Sequence, residues 1–306
     1  MIPPSQAWGS PAGVQSRTMM HDGDFPVPDL RFVPIENLVP HERHDAHRME
    51  PLVRQLRDEG LLKNPPVVAP LSWDAVESAD ALPRYVVLDG ANRASAAAAA
   101  EFPHMLVQVV RYAEPHVHLA TWYHALSEFE PRELEAALER IGGLECRMEE
   151  RVHGRALLAR REALACVAFG GTSVMTLTGG GDLESRNALL NQVVDIYRRR
   201  AFYRVTSDAI EPVRQRYPDV TALLVFPHFE PDEILELALS GARLPAGITR
   251  HLIRWRALRV NLPIERLAHR GESPEQKNEW LRHWLAERVA TRHVRFYEEP
   301  TVLFDE

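Results

Sequence analysis

Residues 85–96, Tyr-Val-Val-Leu-Asp-Gly-Ala-Asn-Arg-Ala-Ser-Ala, constrain the fold more than any other stretch of this 306-residue chain. Tyr85-Val86-Val87-Leu88 has the composition of a short buried strand. Asp89-Gly90 then turns the chain within two residues into an alanine-rich helix, Asn92 to Glu101, which Pro103 stops. A strand that runs directly into a helix aims free backbone N–H groups and the positive end of the helix dipole at one spot. That spot suits an anion. Gly90 lets a phosphate approach the backbone closely, and Arg93 adds a forked cation. Asp89 would be repelled by that phosphate unless a divalent metal sits between them, which points to Mg²⁺. An ordinary strand–turn–helix connection with Asp89 as a cap accounts for the same pattern.

Apolar periodicity extends the reading in both directions. Residues 1–28, rich in Pro, Gly and Ser, are expected to form a flexible tail. Leu30 to Ile35 predicts a strand, and a turn through Pro40 leads to His41-Glu42. Leu52, Val53 and Leu56 stripe a helix that Gly60 ends. Pro65–Ala69 and Met105–Val110 predict two more strands around the polar insertion Ser72–Pro83. A helix over about His116 to Leu126 would close a compact module, residues 29–126. Beyond a hinge at Glu128–Pro131, residues 127–306 predict a second domain. It would run through a helical stretch to about Ala168 and a Gly-rich loop at Thr178–Gly181. A buried strand is expected at Ala222–Phe226, and helices at Asp232–Leu239 and Ser273–Ala290, the latter with Trp280 and Trp284 one turn apart. A strand or hairpin is expected at His293–Phe304. The expected class is α/β (mixed α+β), with two domains.

Composition narrows the function. The chain carries 36 basic and 43 acidic side chains, a formal charge of −7, and is 45% hydrophobic. That balance argues against a general DNA- or anionic-membrane-binding surface. Two cysteines, Cys146 and Cys166, cannot staple a chain of this size and predict reduced thiols without metal-ligand spacing. No run approaches the roughly 18 apolar residues of a membrane helix, and no signal-peptide pattern opens the chain. A cytoplasmic protein is expected.

Two further segments hold candidate chemistry. Glu42, between a strand and a helix, lies where the loops of an α/β module gather, and a carboxylate there can take a proton from an alcohol; a solvated loop glutamate is the plainer reading. In His118-Leu-Ala-Thr-Trp-Tyr-His124, Thr121 and His124 would be neighbours on a helix, with Trp122 and Tyr123 walling a small pocket. A core-facing aromatic helix with a satisfied histidine explains the same residues. His41, His44, His47, His116 and His118 have no Cys or carboxylate partner at metal-site spacing. Thr178-Gly-Gly-Gly181 lacks the Lys-Ser/Thr of a P-loop. Arg198–Arg200 and Arg250-His251 suggest an anion patch or, more simply, an exposed helix face.

The order of these pieces resembles the ParB/sulfiredoxin fold: Leu38-Val-Pro-His-Glu42, a helix ending at Gly60, Asn64-Pro-Pro-Val-Val68, then strand-Asp89-Gly-Ala-Asn-Arg93-helix. Within it, sulfiredoxins require a Cys directly after the turn glycine, where this chain has Ala91. ParB nucleotide switches carry Gly-Glu-Arg-Arg and a basic helix-turn-helix, which Gly90–Arg93 and the acidic balance fit poorly. The free serine kinases remain, with Pro-His-Glu, Asp-Gly-x-x-Arg and a Thr/Trp/His segment in this order. Leu244–Ile253, Arg256–Pro263 and Glu299–Glu306 are similar to a serine kinase branch that serves siderophore biosynthesis.

This resemblance implies an ATP- or ADP-dependent kinase that turns L-serine into O-phospho-L-serine for cysteine, siderophore or other specialised metabolism. By it Glu42 is the base, and Asp89 orients the hydroxyl or holds Mg²⁺. Gly90, Ala91, Asn92, Arg93 and Ser95 bind the nucleotide, while His41, Thr121, Trp122 and His124 fix the amino acid. The alternative is a nucleotide-dependent DNA-binding regulator; a different small hydroxyl substrate and a homodimer also stay open. The siderophore-linked branch is further described as sensing haem and binding DNA, and no residue here demands either.

Overall fold

A computed structural model describes residues 27–43, 60–77 and 83–297. The expected tail, the helix before Gly60, His44, His47 and the segment from Glu298 onward lie outside the described residues, apart from the tail's last two positions.

The first strands along the chain are β1 (Asp29–Pro34), β2 (Leu38–Pro40), β3 (Leu61–Leu62), β4 (Val67–Pro70), β5 (Tyr85–Asp89) and β6 (His104–Val109). Five of them form a mixed sheet in the order β1-β6-β4-β5-β2. Val67, Val68, Val86 and Val87 are fully or almost fully buried there, as runs of β-branched residues covered on both faces should be. The helix Ala91–Ala99 lies against this sheet through Ala94, Ala96 and Ala97, whose small side chains let it sit close.

Next come β7 (Val117–Thr121), β8 (Tyr123–Leu126), β9 (Glu145–Glu150), β10 (Ala165–Ala168), β11 (Ser173–Thr178), β12 (Phe202–Val205) and β13 (Ala222–Val225). Six of these build an antiparallel sheet in the order β12-β8-β13-β10-β11-β9. The helix expected over His116–Leu126 is therefore two strands. Partners distant in sequence decide this: β14 (Thr249–Ile253) pairs with β7, and β12 and β13 flank β8. Short segments of mixed propensity yield to such tertiary pairing. The stretch expected to be helical up to Ala168 likewise contains two strands, β9 between the helices Pro131–Leu138 and Arg151–Ala159 and β10 after the second of them.

The strands β5, β6 and β13 and the helices Pro231–Ser240 and Pro274–Ala290 match their expected places. Gly241 ends the first of these helices in the left-handed region, and Ser273 caps the second with Gln276 in a capping box. Residues 293–297 form no regular strand.

The chain after residue 126 does not stay with the second sheet. A short strand, β15 (Leu262–Pro263), pairs with β3, and Ile264, Leu267 and Leu281 complete the core of the first sheet. Asn278 clasps β1 from the last helix, accepting from the Phe32 N–H at 2.7 Å and donating to its carbonyl at 2.9 Å. No helix among the described residues is long and apolar enough to cross a membrane.

Candidate active site

The parallel pair β2–β5 sets the site's geometry. Pro40 lies opposite Val87, so Glu42 and Asp89, each two residues further on, leave the sheet at the same level. Carboxyl ends of parallel neighbours are where open α/β sheets gather ligands.

At the Asp89 side, Gly90 has φ 83° and is the N-cap of the helix, with no side chain capping it. Its left-handed conformation favours glycine, and an added Cβ would lie 2.8 Å from Arg93 Nη2 and 3.0 Å from Pro66 Cα. The uncapped start turns the first-turn N–H groups of Ala91 and Asn92 toward the space before the helix. Arg93 curls back over the turn, donating to the Asn64 carbonyl at 2.7 Å and to Asp89 Oδ2 at 3.0 Å. Arg256, from the distant C-terminal half, also donates to Asp89 Oδ2. Its segment is held by the buried Gln108 of β6, which donates to the Trp255 carbonyl and accepts from the Ala257 N–H at 2.8 Å. Ser95 is half-buried on the same helix.

Glu42 is fixed from the other direction. Leu244 N–H donates to the His41 carbonyl and Arg43 N–H to the Leu244 carbonyl, each at 2.8 Å. The Glu42 carboxylate, 17% exposed, accepts from Gly247 N–H at 2.7 Å, Thr249 N–H at 2.8 Å and Thr249 Oγ1 at 2.5 Å. Two main-chain donors and a hydroxyl hold it in one orientation.

Thr121 and Trp122 come to the same place through pairing. Thr121 lies opposite Thr249, and Trp122 N–H donates to the Ile248 carbonyl at 2.7 Å. Thr121 is buried and donates to the Pro227 carbonyl at 3.3 Å. The half-buried Trp122 ring lies under the Arg250 guanidinium at 4.5 Å.

Two expected substrate ligands stand behind this surface instead. His124 has no exposed area. One ring nitrogen faces Tyr197 Oη at 2.7 Å, and the other donates to the Gly247 carbonyl at 3.0 Å. Burial pushes its pKa down to about 4 despite the bond to Gly247, so it is neutral and braces the peptide that supports Glu42. His41 is 4% exposed, with Nδ1 at 2.6 Å from the Val87 carbonyl and Nε2 at 2.8 Å from Thr249 Oγ1. His124 is enclosed because β8 lies between β12 and β13 and not on a helix face, whereas His41, just past the end of β2, is enclosed between Val87 and Thr249.

Beside the site is a cavity of about 450 Å³, lined by Glu114, His118, His251, Arg254 and Arg256 among others. His251 faces Tyr112 Oη at 2.7 Å and stands edge-on to His41 at 5.1 Å. Burial, reinforced by the neighbouring His41, holds the His251 pKa well below its ordinary value. Gly247, Thr249, Arg256 and Gln108 do not stand out by residue type, and His251 does so only beside Arg250 as part of an anion patch. The signal for Thr249 and His251 is alternation: two residues apart on β14, they share one face of the strand, while Gly247 lies in the turn before it with φ 82°.

Among the described residues no three His, Cys, Asp or Glu side chains are grouped to hold a metal. Mg²⁺ in phosphoryl-transfer sites needs only one or two carboxylates, with phosphate and water completing its shell. Asp89 fits that mode. Within the suggested arginine patch, Arg198 pairs with Asp195 and Arg200 with Glu133, while Arg250 lies over the Trp122 ring.

No family model matches the chain. An ATP-dependent L-serine kinase of Desulfurococcus mucosus is 20% identical over 241 residues, covering 77% of this chain and 89% of that protein. Among solved structures, C-terminally truncated SbnI from Staphylococcus aureus superposes with a TM-score of 0.64 at 20% identity, over 86% of this chain and 97% of that one. A free serine kinase in complex with AMP gives 0.63 at 17% identity, over 81% and 98%. The resemblance read in the sequence is thereby borne out, and the chain has the ParB/sulfiredoxin-like fold of the free serine kinases.

Proposed function

We propose that this protein is a cytoplasmic kinase that transfers a phosphoryl group from ATP to the hydroxyl of free L-serine, giving O-phospho-L-serine and ADP. The observation that carries this reading is the immobilised Glu42 carboxylate, level with the Asp89–Gly90 turn across β2 and β5. Phosphoryl transfer asks for an acceptor hydroxyl beside a base, and for phosphates held in line with it by positive charge. Glu42 on one side and the Asp89–Arg93 turn on the other support the two halves of that requirement.

In this reading the N–H groups at Gly90, Ala91 and Asn92, with the Arg93 and Arg256 guanidinium groups, receive the phosphates, and Ser95 supports them from the next turn. Asp89 would hold a nucleotide-borne Mg²⁺, which when bound neutralises phosphate charge. Asp89 is restrained by both arginines, so its carboxylate is already aimed when nucleotide arrives. Thr121 and Trp122 border the amino acid, with His41 and His124 supporting from behind. Glu42 takes the hydroxyl proton as the new O–P bond forms.

The decisive experiment incubates the full-length protein with L-serine, Mg²⁺ and either ATP or ADP, and follows products by phosphorus NMR. Phosphoserine formed in step with ATP loss is the expected result. Silence with L-serine but turnover with another small alcohol would move the substrate assignment. Silence throughout would end the kinase reading.

A further inference from the structure

We propose that Thr249 joins Glu42 to His41 in a proton-sharing chain that keeps the base ionised in its enclosed site. The inference rests on the serine kinase reading for its purpose, but its physical content stands on hydrogen-bond accounting alone.

The accounting starts at Val87. Its carbonyl only accepts, so His41 Nδ1, 2.6 Å away, carries a proton. Two contacts remain in line: His41 Nε2 to Thr249 Oγ1 at 2.8 Å, and Thr249 Oγ1 to Glu42 Oε1 at 2.5 Å. Each needs one proton between its heavy atoms, and the Thr249 hydroxyl supplies one. The second must belong to His41 Nε2 or to Glu42 Oε1.

Two arrangements satisfy both contacts. In one, His41 is an imidazolium donating to Thr249, and Thr249 donates to an ionised Glu42. In the other, Glu42 is protonated and donates to Thr249, which donates to neutral His41. They interconvert when the Nε2 proton moves to Oγ1 as the Oγ1 proton moves to Oε1, with no net gain or loss of protons. His41 Nε2 and Glu42 Oε1 are 4.0 Å apart, so the hydroxyl is the shorter route.

The first arrangement prepares the base. With the shared proton stored on His41, Glu42 is a carboxylate whose Oε2 accepts the Gly247 N–H. Oε2 then takes the serine hydroxyl proton. The serine oxygen bonds to the γ-phosphorus, and the bond to the bridging oxygen breaks with its electron pair leaving on ADP. His41 is thus a positioning residue for charge, and its burial is what the role requires.

Other groups face the chain. On β14 His251 stands edge-on to His41, with Tyr112 behind it. Arg43 pairs with Asp195, His228 faces Thr121, and Arg204 and His124 lie behind Gly247. Asp89 with Arg93 and Arg256 lies beyond Val87. Thr249 Oγ1 is the atom that contacts both His41 Nε2 and Glu42 Oε1, so the coupling between them runs through it.

The test follows the His41 ring nitrogens by nitrogen-15 NMR against pH in full-length wild type, Glu42→Gln, Thr249→Val and Thr249→Ser, without substrate. Glu42→Gln and Thr249→Val should each weaken proton binding at His41 by at least tenfold, and Thr249→Ser should restore wild-type behaviour. Glu42→Gln is isosteric, and its single carbonyl oxygen can still accept from Thr249 N–H and Oγ1 while the Gly247 N–H bond is lost, so it decides the matter even if Thr249→Val fails to fold. A His41 titration that is the same in wild type and Glu42→Gln overturns the proposal. Because this readout needs no turnover, coupled titration in a protein that makes no phosphoserine would sink the kinase reading and leave the chain standing.

Discussion

The turn Asp89–Arg93 and the segment Leu244–Arg256 face each other across the site, and they reach it by different means. The turn is contiguous: one strand, one left-handed glycine and one helix place an anion cradle, a carboxylate and a guanidinium within five residues. The facing segment holds Glu42 from more than 200 residues away in sequence, with Gly247 and Thr249 as its donors. Its own support is also remote, since His124 braces Gly247 and Gln108 grips the backbone around Arg256. Local geometry therefore builds the phosphate side, while tertiary pairing builds the side that orients the base. The phosphate side requires only a short motif. The base side requires the whole fold.

Substitutions on the two sides should differ accordingly. The largest effect belongs to Glu42, the one group that joins them: Glu42→Ala should lower turnover by about 10²-fold or more, the usual scale for a general base. Equal rates of phosphoserine formation in mutant and wild type would remove it from that role.

The two glycines offer a finer comparison. Gly90 and Gly247 both have φ near 82°, so alanine is strained at either, by about 1–2 kcal/mol. At Gly90 the new Cβ also meets the Pro66 backbone at 3.0 Å, whereas at Gly247 it meets the movable end of Arg204. Urea unfolding should therefore show Gly90→Ala as the costlier change, at about 2 kcal/mol against about 1 for Gly247→Ala. Gly247→Ala should instead show its damage in turnover, through the N–H that orients Glu42. Equal stability losses with no loss of turnover in Gly247→Ala would erase the distinction.

The smallest effect concerns His124. Its folded pKa of about 4 lies below the ordinary 6.5 because burial disfavours the charged ring. As pH falls from 6.5 toward 4 the unfolded chain binds a proton that the folded chain does not, so stability is lost across that window, by about 1 kcal/mol at pH 6. His251, whose pKa is also lowered, acts in the same direction. His124→Gln keeps a donor for the Gly247 carbonyl and cannot titrate, so its stability should fall less steeply between pH 6.5 and 5. An unchanged slope would mean that the His124 ring is not held neutral.

Legibility in the sequence follows the same division. The strand, the Asp-Gly turn and the alanine-rich helix declare themselves by local rules of propensity and backbone freedom, and Asp89, Gly90 and Arg93 could be named from them. Glu42 could be named as a candidate but not distinguished from a solvated loop residue, because its donors are on β14 and the loop before it. Thr121, Trp122 and His124 stand out as a group, but their spacing suggests a helix. Val117–Leu126 has no strong strand signal of its own and becomes extended only when Thr249–Ile253 lies beside β7. A contact between segments 130 residues apart leaves no local periodicity to read. The same blindness hid Gln108, which reads as one polar residue in an apolar strand until its amide is seen gripping Trp255 and Ala257.

The clasp of Asn278 on Phe32 has a consequence for how molecules of this protein meet one another. β1 is the outer strand of its sheet, and an open margin of peptide groups is a template on which a stranger's strand can grow. One side-chain amide satisfies both the N–H and the carbonyl of Phe32, as a neighbouring strand would, but it is carried on a helix that cannot continue the ladder. The sheet is thereby hemmed by its own chain, and intermolecular β-addition along that margin must first undock the last helix.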